Sequence, residues 1–129
     1  MNEPHFLSVE EVLIIHGEQI DAFGGLDGIR DTGLLESAVM TPQASFGGEY
    51  LHANIFEMAA AYAFHIAENQ PFIDGNKRTA LGAAMVFLGD NGFEFPPDDL
   101  SLYEAMISIA NKEMDKYDLA AMLKDLVEK

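Results

Sequence analysis

Cysteine is absent from this chain of 129 residues. Disulfides and thiolate-based metal or nucleophile sites are therefore excluded, as suits a reducing compartment. Positive charge is scarce. Seven lysines and arginines stand against 22 acidic residues, a net charge of -15. The seven are Arg30, Lys77, Arg78, Lys112, Lys116, Lys124 and Lys129. None falls between 31 and 76 or between 79 and 111. Such a surface repels nucleic acid and anionic membranes, and suits a partner protein with a basic face. Long apolar runs are missing too. The run 53–68 carries Glu57, His65 and Glu68, and 79–88 is ten residues, short of the ~20 needed to span a bilayer. Met1-Asn2-Glu3-Pro4-His5 lacks the basic-then-apolar order of a signal peptide. No stretch sustains strand alternation, and there is no repeat, low-complexity tract or linker. The expectation is a soluble, cytoplasmic, all-α protein forming one domain over 1–129, with no direct nucleic-acid or membrane partner.

What is present is enough for a core, at 49% hydrophobic residues. Ser8-Val9-Glu10-Glu11 has the capping-box form and opens a first helix that Gly24-Gly25 ends. His16 lies within it, as a surface or packed side chain. Gly24 to Gly33 is a loop holding Arg30, read either as a contact to substrate or partner or as an ion pair anchoring the loop. Asp31 or Thr32 caps a short helix over 33–40, ended by Pro42. Residues 41–52 read as loop, with room for a short hairpin. Phe46 and Tyr50 there either edge a cleft or tuck onto the core, with the core reading preferred.

Helix 53–69 is apolar almost all round. Glu57 and Glu68, 11 positions apart, fall on nearly one line, so a central buried helix is expected. His65 reads as a core histidine with one hydrogen bond. Helix 76–90 follows, with Ala80, Gly82, Ala83 and Ala84 admitting a close neighbour. Asp98 or Asp99 should cap a helix 99–111, and Asp115 a last helix 116–128. The two central helices form a hairpin whose tip is 70–75.

The tip is where chemistry is expected. Gly75-Asn76 stands at a helix start, where unpaired N–H groups and the helix dipole favour an anion. Lys77-Arg78, the only adjacent basic pair, lies just inside it. Cations there oppose the dipole unless something such as phosphate compensates. Asp74 beside a phosphate is a natural Mg²⁺ ligand. The plainer readings are that Asp74 or Asn76 caps the helix and that Lys77-Arg78 is a solvated turn. A P-loop is excluded, since no glycine lies six positions before Lys77 and Arg78 follows it.

The stretch Asn69-Gln70-Pro71-Phe72-Ile73-Asp74-Gly75-Asn76-Lys77-Arg78-Thr79-Ala80-Leu81 resembles the signature of the Fic/Doc family, His-Pro-Phe-x-x-Gly-Asn-Lys-Arg in its Doc branch. Phe6-Leu7-Ser8, Gly28-Ile29-Arg30-Asp31, Gly33-Leu34-Leu35-Glu36-Ser37-Ala38 and Phe87-Leu88 with Asn91-Gly92 resemble further pieces of the death-on-curing toxins. The resemblance implies an all-α helical bundle with the motif loop between two central buried helices. It implies transfer of part of ATP to a protein hydroxyl, with Mg²⁺. In Doc-type members, which have lysine where Lys77 stands, the nucleotide lies reversed. The γ-phosphate then goes to a threonine of a translation elongation factor and protein synthesis stops.

By the same resemblance Asp74 holds Mg²⁺, Gly75, Asn76, Lys77 and Arg78 hold phosphates, and Phe72 anchors the loop. An antitoxin is the expected partner. One departure stands out. The motif histidine, the general base, is replaced by Gln70, which accepts no proton at neutral pH. His65, five residues upstream, faces a different turn and is not read as its substitute. An impaired kinase toxin, a catalytically dead nucleotide- or partner-binding pseudoenzyme and an AMP-transferring enzyme remain the three readings. Lys77 favours the first over the third.

Overall fold

Six α-helices and one very short hairpin make up the computed structural model, which describes residues 3–94 and 100–128. The expected all-α class is borne out. Helix α1, Val9–Phe23, begins with the capping box of Ser8 and Glu11, and its C-terminal N–H bond falls at Gly24. Asp31 caps α2, Thr32–Met40, by accepting from the Leu34 N–H. A single 3₁₀ turn, Thr41–Gln43, follows, and Pro42 sits in it. Two strands, β1 Ser45–Phe46 and β2 Glu49–Tyr50, then form the hairpin that the 41–52 region left room for.

Helix α3, Ile55–Asn69, starts two residues later than the apolar pattern suggests, because Asn54 caps it through the Glu57 N–H. Met58 to Ala63, Ile66 and Ala67 are all buried on it. Helices α2, α4, α5 and α6 all pack on α3, as its nearly all-round apolarity requires. Helix α4, Asn76–Asp90, is the second central element and is covered by α1 and α5. Helix α5 is Leu100–Ala110 and α6 is Lys116–Glu128. The cap expected at Asp98 or Asp99 lies outside the described residues. Asp115 caps α6, accepting from the Asp118 N–H at 2.8 Å.

The core is one cluster drawn from all six helices, with Tyr62, Phe72 and Phe87 its largest side chains. Tyr62 spends its hydroxyl on the Leu7 N–H. Phe46 departs from the expectation that it tucks onto the core. It is 83% exposed, on a strand of two residues that are both exposed. Tyr50 does pack, edge-on to Phe6 at 5.4 Å.

What this architecture positions is the six-residue connection 70–75 between α3 and α4. No helix of the described residues is long and apolar enough to cross a membrane.

Candidate functional site

The connection 70–75 is not left to itself. The loop after α1 pairs with it along its length. Arg30 N–H and Asp31 N–H both donate to the Pro71 carbonyl, and Ile73 N–H donates to the Gly28 carbonyl, around an antiparallel bridge of Ile29 with Phe72. Phe72 is 1% exposed and roots the segment in the core. Asn76 closes it from inside: its Oδ1 accepts from the Phe72 N–H and its Nδ2 donates to the Phe72 carbonyl. Both polar atoms of Asn76 are thus engaged, so an anion would meet this residue through its backbone N–H. The side chain is a brace, not the helix cap that one sequence reading allowed.

Gln70 ends α3 in the left-handed region, at φ 46° and ψ 59°, where a non-glycine residue is costly by roughly 1–2 kcal/mol. Arg30 supports this turn. Its Nε donates to the Gln70 carbonyl and its Nη2 to the Asn69 carbonyl, each at 2.7 Å. These are the orphan acceptors of a helix C-terminus. Arg30 therefore anchors the loop, as one sequence reading held, but through carbonyls rather than an ion pair. The Gln70 side chain is exposed on the wall of the cavity.

Helix α4 begins at Gly75, with φ 79°, a conformation suited to glycine. No side chain caps this helix start, so its first N–H groups are free for a ligand. A Cβ on Gly75 would lie 3.2 Å from Ile20 and 3.6 Å from the His16 ring. Lys77 and Arg78 have no carboxylate within ion-pair distance among the described residues. Arg78 lies over the Phe23 ring at 3.8 Å and near Tyr103 at 4.7 Å, which fixes its guanidinium by cation–π attraction.

Asp74 is exposed. Its Oδ2 accepts from the Leu26 N–H at 2.8 Å and its carbonyl accepts from His16 Nε2 at 2.8 Å. That leaves Oδ1 without a protein partner. Gln70, Asp74, Gly75, Asn76, Lys77 and Arg78 all line one open cavity of about 540 Å³, together with Gln19, Phe23 and Tyr103. Every site residue expected from the sequence is brought to this one wall.

A metal here would have Asp74 as its single carboxylate. Among the described residues, the one grouping of three metal-capable side chains is His5, Glu11 and Asp90, and Asp90 is at the opposite end of α4. One carboxylate plus phosphate oxygens is how Mg²⁺ is commonly held. The donor set thus fits Mg²⁺ carried with a nucleotide and does not fit a metal held by protein alone.

Two features escaped the sequence. His16 is one, read there only as a surface or packed residue. It is 2% exposed and stacks on Phe72 at 3.8 Å and 7°. Its place beside Val12 and Ile15 on the buried stripe of α1 was the available signal. The aromatic pair at Arg78 is the other. Phe23 and Tyr103 are 80 positions apart, and nothing local ties them together.

His65, by contrast, does not line this wall. It is half-buried, and its Nε2 accepts from Lys116 at 3.2 Å. That matches the reading of a histidine with a satisfied bond and removes it as a stand-in for Gln70.

The Fic/DOC family model matches residues 6–88, which spans α1 through most of α4 and includes the whole motif loop. Toxin Doc of Mycolicibacterium smegmatis is 39% identical over 104 residues, 79% of this chain and 80% of that protein. Protein kinase doc of Escherichia phage P1 is 33% identical over 120 residues, 93% of this chain and 94% of that protein.

Proposed function

The chain belongs to the Fic/DOC family, and from that premise we propose that it is a Doc-type toxin kinase attenuated by Gln70. In this reading it moves the γ-phosphate of ATP to a hydroxyl of a translation elongation factor in the cytoplasm, and an antitoxin restrains it. The observation that carries the reading is the cavity wall. An uncapped helix start, two cations without carboxylate partners and a carboxylate with a free oxygen converge there.

The chemistry follows from those groups. The N–H groups of the first turn of α4, with Lys77 and Arg78, take the phosphates. Asp74 Oδ1 would hold Mg²⁺, and the chemistry that ion would supply there is neutralisation of charge on the phosphate oxygens. The target hydroxyl oxygen bonds to Pγ, the bond from Pγ to the bridging oxygen breaks, and ADP leaves. The hydroxyl proton needs an acceptor. Gln70 stands at that place in the loop and accepts none. General-base catalysis is typically worth about 10²–10⁴-fold, so the step is slowed by roughly that factor.

Histidine is among the residues that tolerate the left-handed conformation found at position 70. Gln70→His should therefore keep the loop's backbone. The expected outcome is growth arrest in cells and transfer of label from γ-labelled ATP to a protein target, about 10²–10⁴-fold faster than with Gln70. A harmless, inactive Gln70→His protein would overturn the kinase reading. It would favour the second reading, a nucleotide- or partner-binding pseudoenzyme, which rests on Gln70 itself. Label arriving from α-labelled ATP would instead mean AMP transfer.

A further inference from the structure

His16 is a buried polar side chain, hydrogen-bonded to the motif loop, that the proposed chemistry does not use. It comes from α1, yet it meets the loop at three points. Its ring lies parallel to Phe72 at 3.8 Å. Its Nε2 is 2.8 Å from the Asp74 carbonyl. Its edge is where a side chain on Gly75 would press, at 3.6 Å.

A carbonyl oxygen only accepts, so His16 Nε2 carries a hydrogen. The other nitrogen, Nδ1, lies 3.6 Å from the exposed carboxylate of Asp27. Asp27 belongs to the same loop whose Leu26 N–H holds Asp74 Oδ2. The carboxylate of Asp74 is therefore held by the loop after α1, and its carbonyl by α1 itself.

We infer that His16 is a positioning residue, which sets the plane of the peptide between Asp74 and Gly75 and through it the phosphate and metal end of the cavity. In a planar trans peptide the C=O and the next N–H point in opposite directions. Holding the Asp74 carbonyl toward α1 turns the Gly75 N–H away from α1. No protein acceptor meets that N–H among the described residues. The same bond fixes the Asp74 backbone from which its free Oδ1 projects. Parallel stacking on Phe72 keeps the ring itself from swinging. The ligand part of this inference rests on the nucleotide reading above. The loop geometry does not.

Two substitutions separate the hydrogen bond from the packing. His16→Phe keeps a ring against Phe72 and removes the donor. His16→Gln keeps an N–H donor at similar reach and removes the ring. In the unliganded full chain, the amide ¹⁵N resonance of Gly75 reports whether the preceding carbonyl is hydrogen-bonded. It should move in His16→Phe and stay near its original position in His16→Gln. Circular dichroism establishes that both variants fold.

By calorimetry, affinity for ATP with Mg²⁺ should fall about 10–100-fold in His16→Phe, the usual effect of losing an outer-shell orienting partner. His16→Gln should recover most of it. An unmoved Gly75 resonance in His16→Phe would overturn the inference. So would His16→Gln being as impaired as His16→Phe, since that is the mark of packing alone. If the original protein takes up no ATP, the proposed function fails, while the Gly75 resonance still decides the role of His16.

Discussion

Arg30 and Asp74 show how single side chains carry this site. Arg30 replaces the missing intrahelical partners of Asn69, the last residue of α3, and of Gln70, which caps it. Hydrogen bonds from a charged donor contribute about 1.5–3 kcal/mol when sheltered, and less where water competes. Arg30 is exposed, so Arg30→Ala should cost about 1–2 kcal/mol in urea unfolding. Arg30→Lys should recover only part of this, because an ammonium lacks the fork that spans two carbonyls. A wild-type urea midpoint in Arg30→Ala would mean the carbonyls are equally well served by water. Asp74 makes a sharper distinction. Asp74→Asn keeps an acceptor for the Leu26 N–H but removes the charge. Calorimetry should show the Mg²⁺-dependent part of ATP affinity lost and the Mg²⁺-free part retained. Equal loss of both would place the metal elsewhere.

At the scale of elements, the site depends on how closely α1 approaches α4. The contact is made at Gly82, where a Cβ would come within 2.9 Å of Ile15 Cγ2. Glycine inside a helix ordinarily costs up to about 1 kcal/mol relative to alanine, and here it admits a branched side chain from the neighbour instead. Gly82→Val should therefore destabilise the fold by about 1–3 kcal/mol through overpacking. It should also weaken ATP binding, because Ile15 is beside His16 and α1 brings Gln19 and Phe23 to the cavity. A Gly82→Val protein of unchanged melting temperature would show that α1 and α4 have slack. Phe72 is the complementary case. It anchors the connection between α3 and α4 from beneath, and Phe72→Ala should cost about 3–5 kcal/mol.

The whole molecule has a second polar centre, away from the cavity, that governs its response to acid. Lys116 on α6 donates to Nε2 of His52 at 3.0 Å and of His65 at 3.2 Å. Both imidazoles are therefore neutral acceptors, and the buried Nδ1 of His52 is left without a partner. Burial, and then the Lys116 charge, pushes His65 down to about 4 and lowers His52 as well. The unfolded chain takes up these protons first, so stability falls as pH drops below about 6.5. For His65 the fall continues until about pH 4. Neutralising carboxylates in a chain of net charge -15 acts in the opposite direction, so the comparison must be internal. Between pH 7 and pH 4.5 the urea midpoint should fall further in the original protein than in the double variant His52→Phe, His65→Phe. Parallel falls would refute the role of this centre. Added salt should raise the melting temperature at pH 7 by screening the excess negative charge.

Local chemistry was legible along the chain because it is written within a few residues. Ser8 with Glu11, Asp31 and Asp115 cap the helices they were read to cap. The central position of α3 followed from an apolar surface broken on one strip, and the anion-favouring start of α4 followed from Gly75 beside Lys77 and Arg78, although its lack of a side-chain cap did not. Gln70 was also visible there, as a residue that departs from the contiguous motif this stretch resembles. What neighbours in sequence could not specify are the supports that arrive from elsewhere. Phe46 is exposed while Tyr50 on the same short hairpin packs on Phe6. Arg30 reaches carbonyls about 40 positions away, and backbone acceptors leave no mark on composition. His16 reaches Asp74 across 58 positions. Periodicity shows that such a residue is on the buried face of its helix, but only the packing of α1 against α4 decides which atom its one hydrogen bond finds.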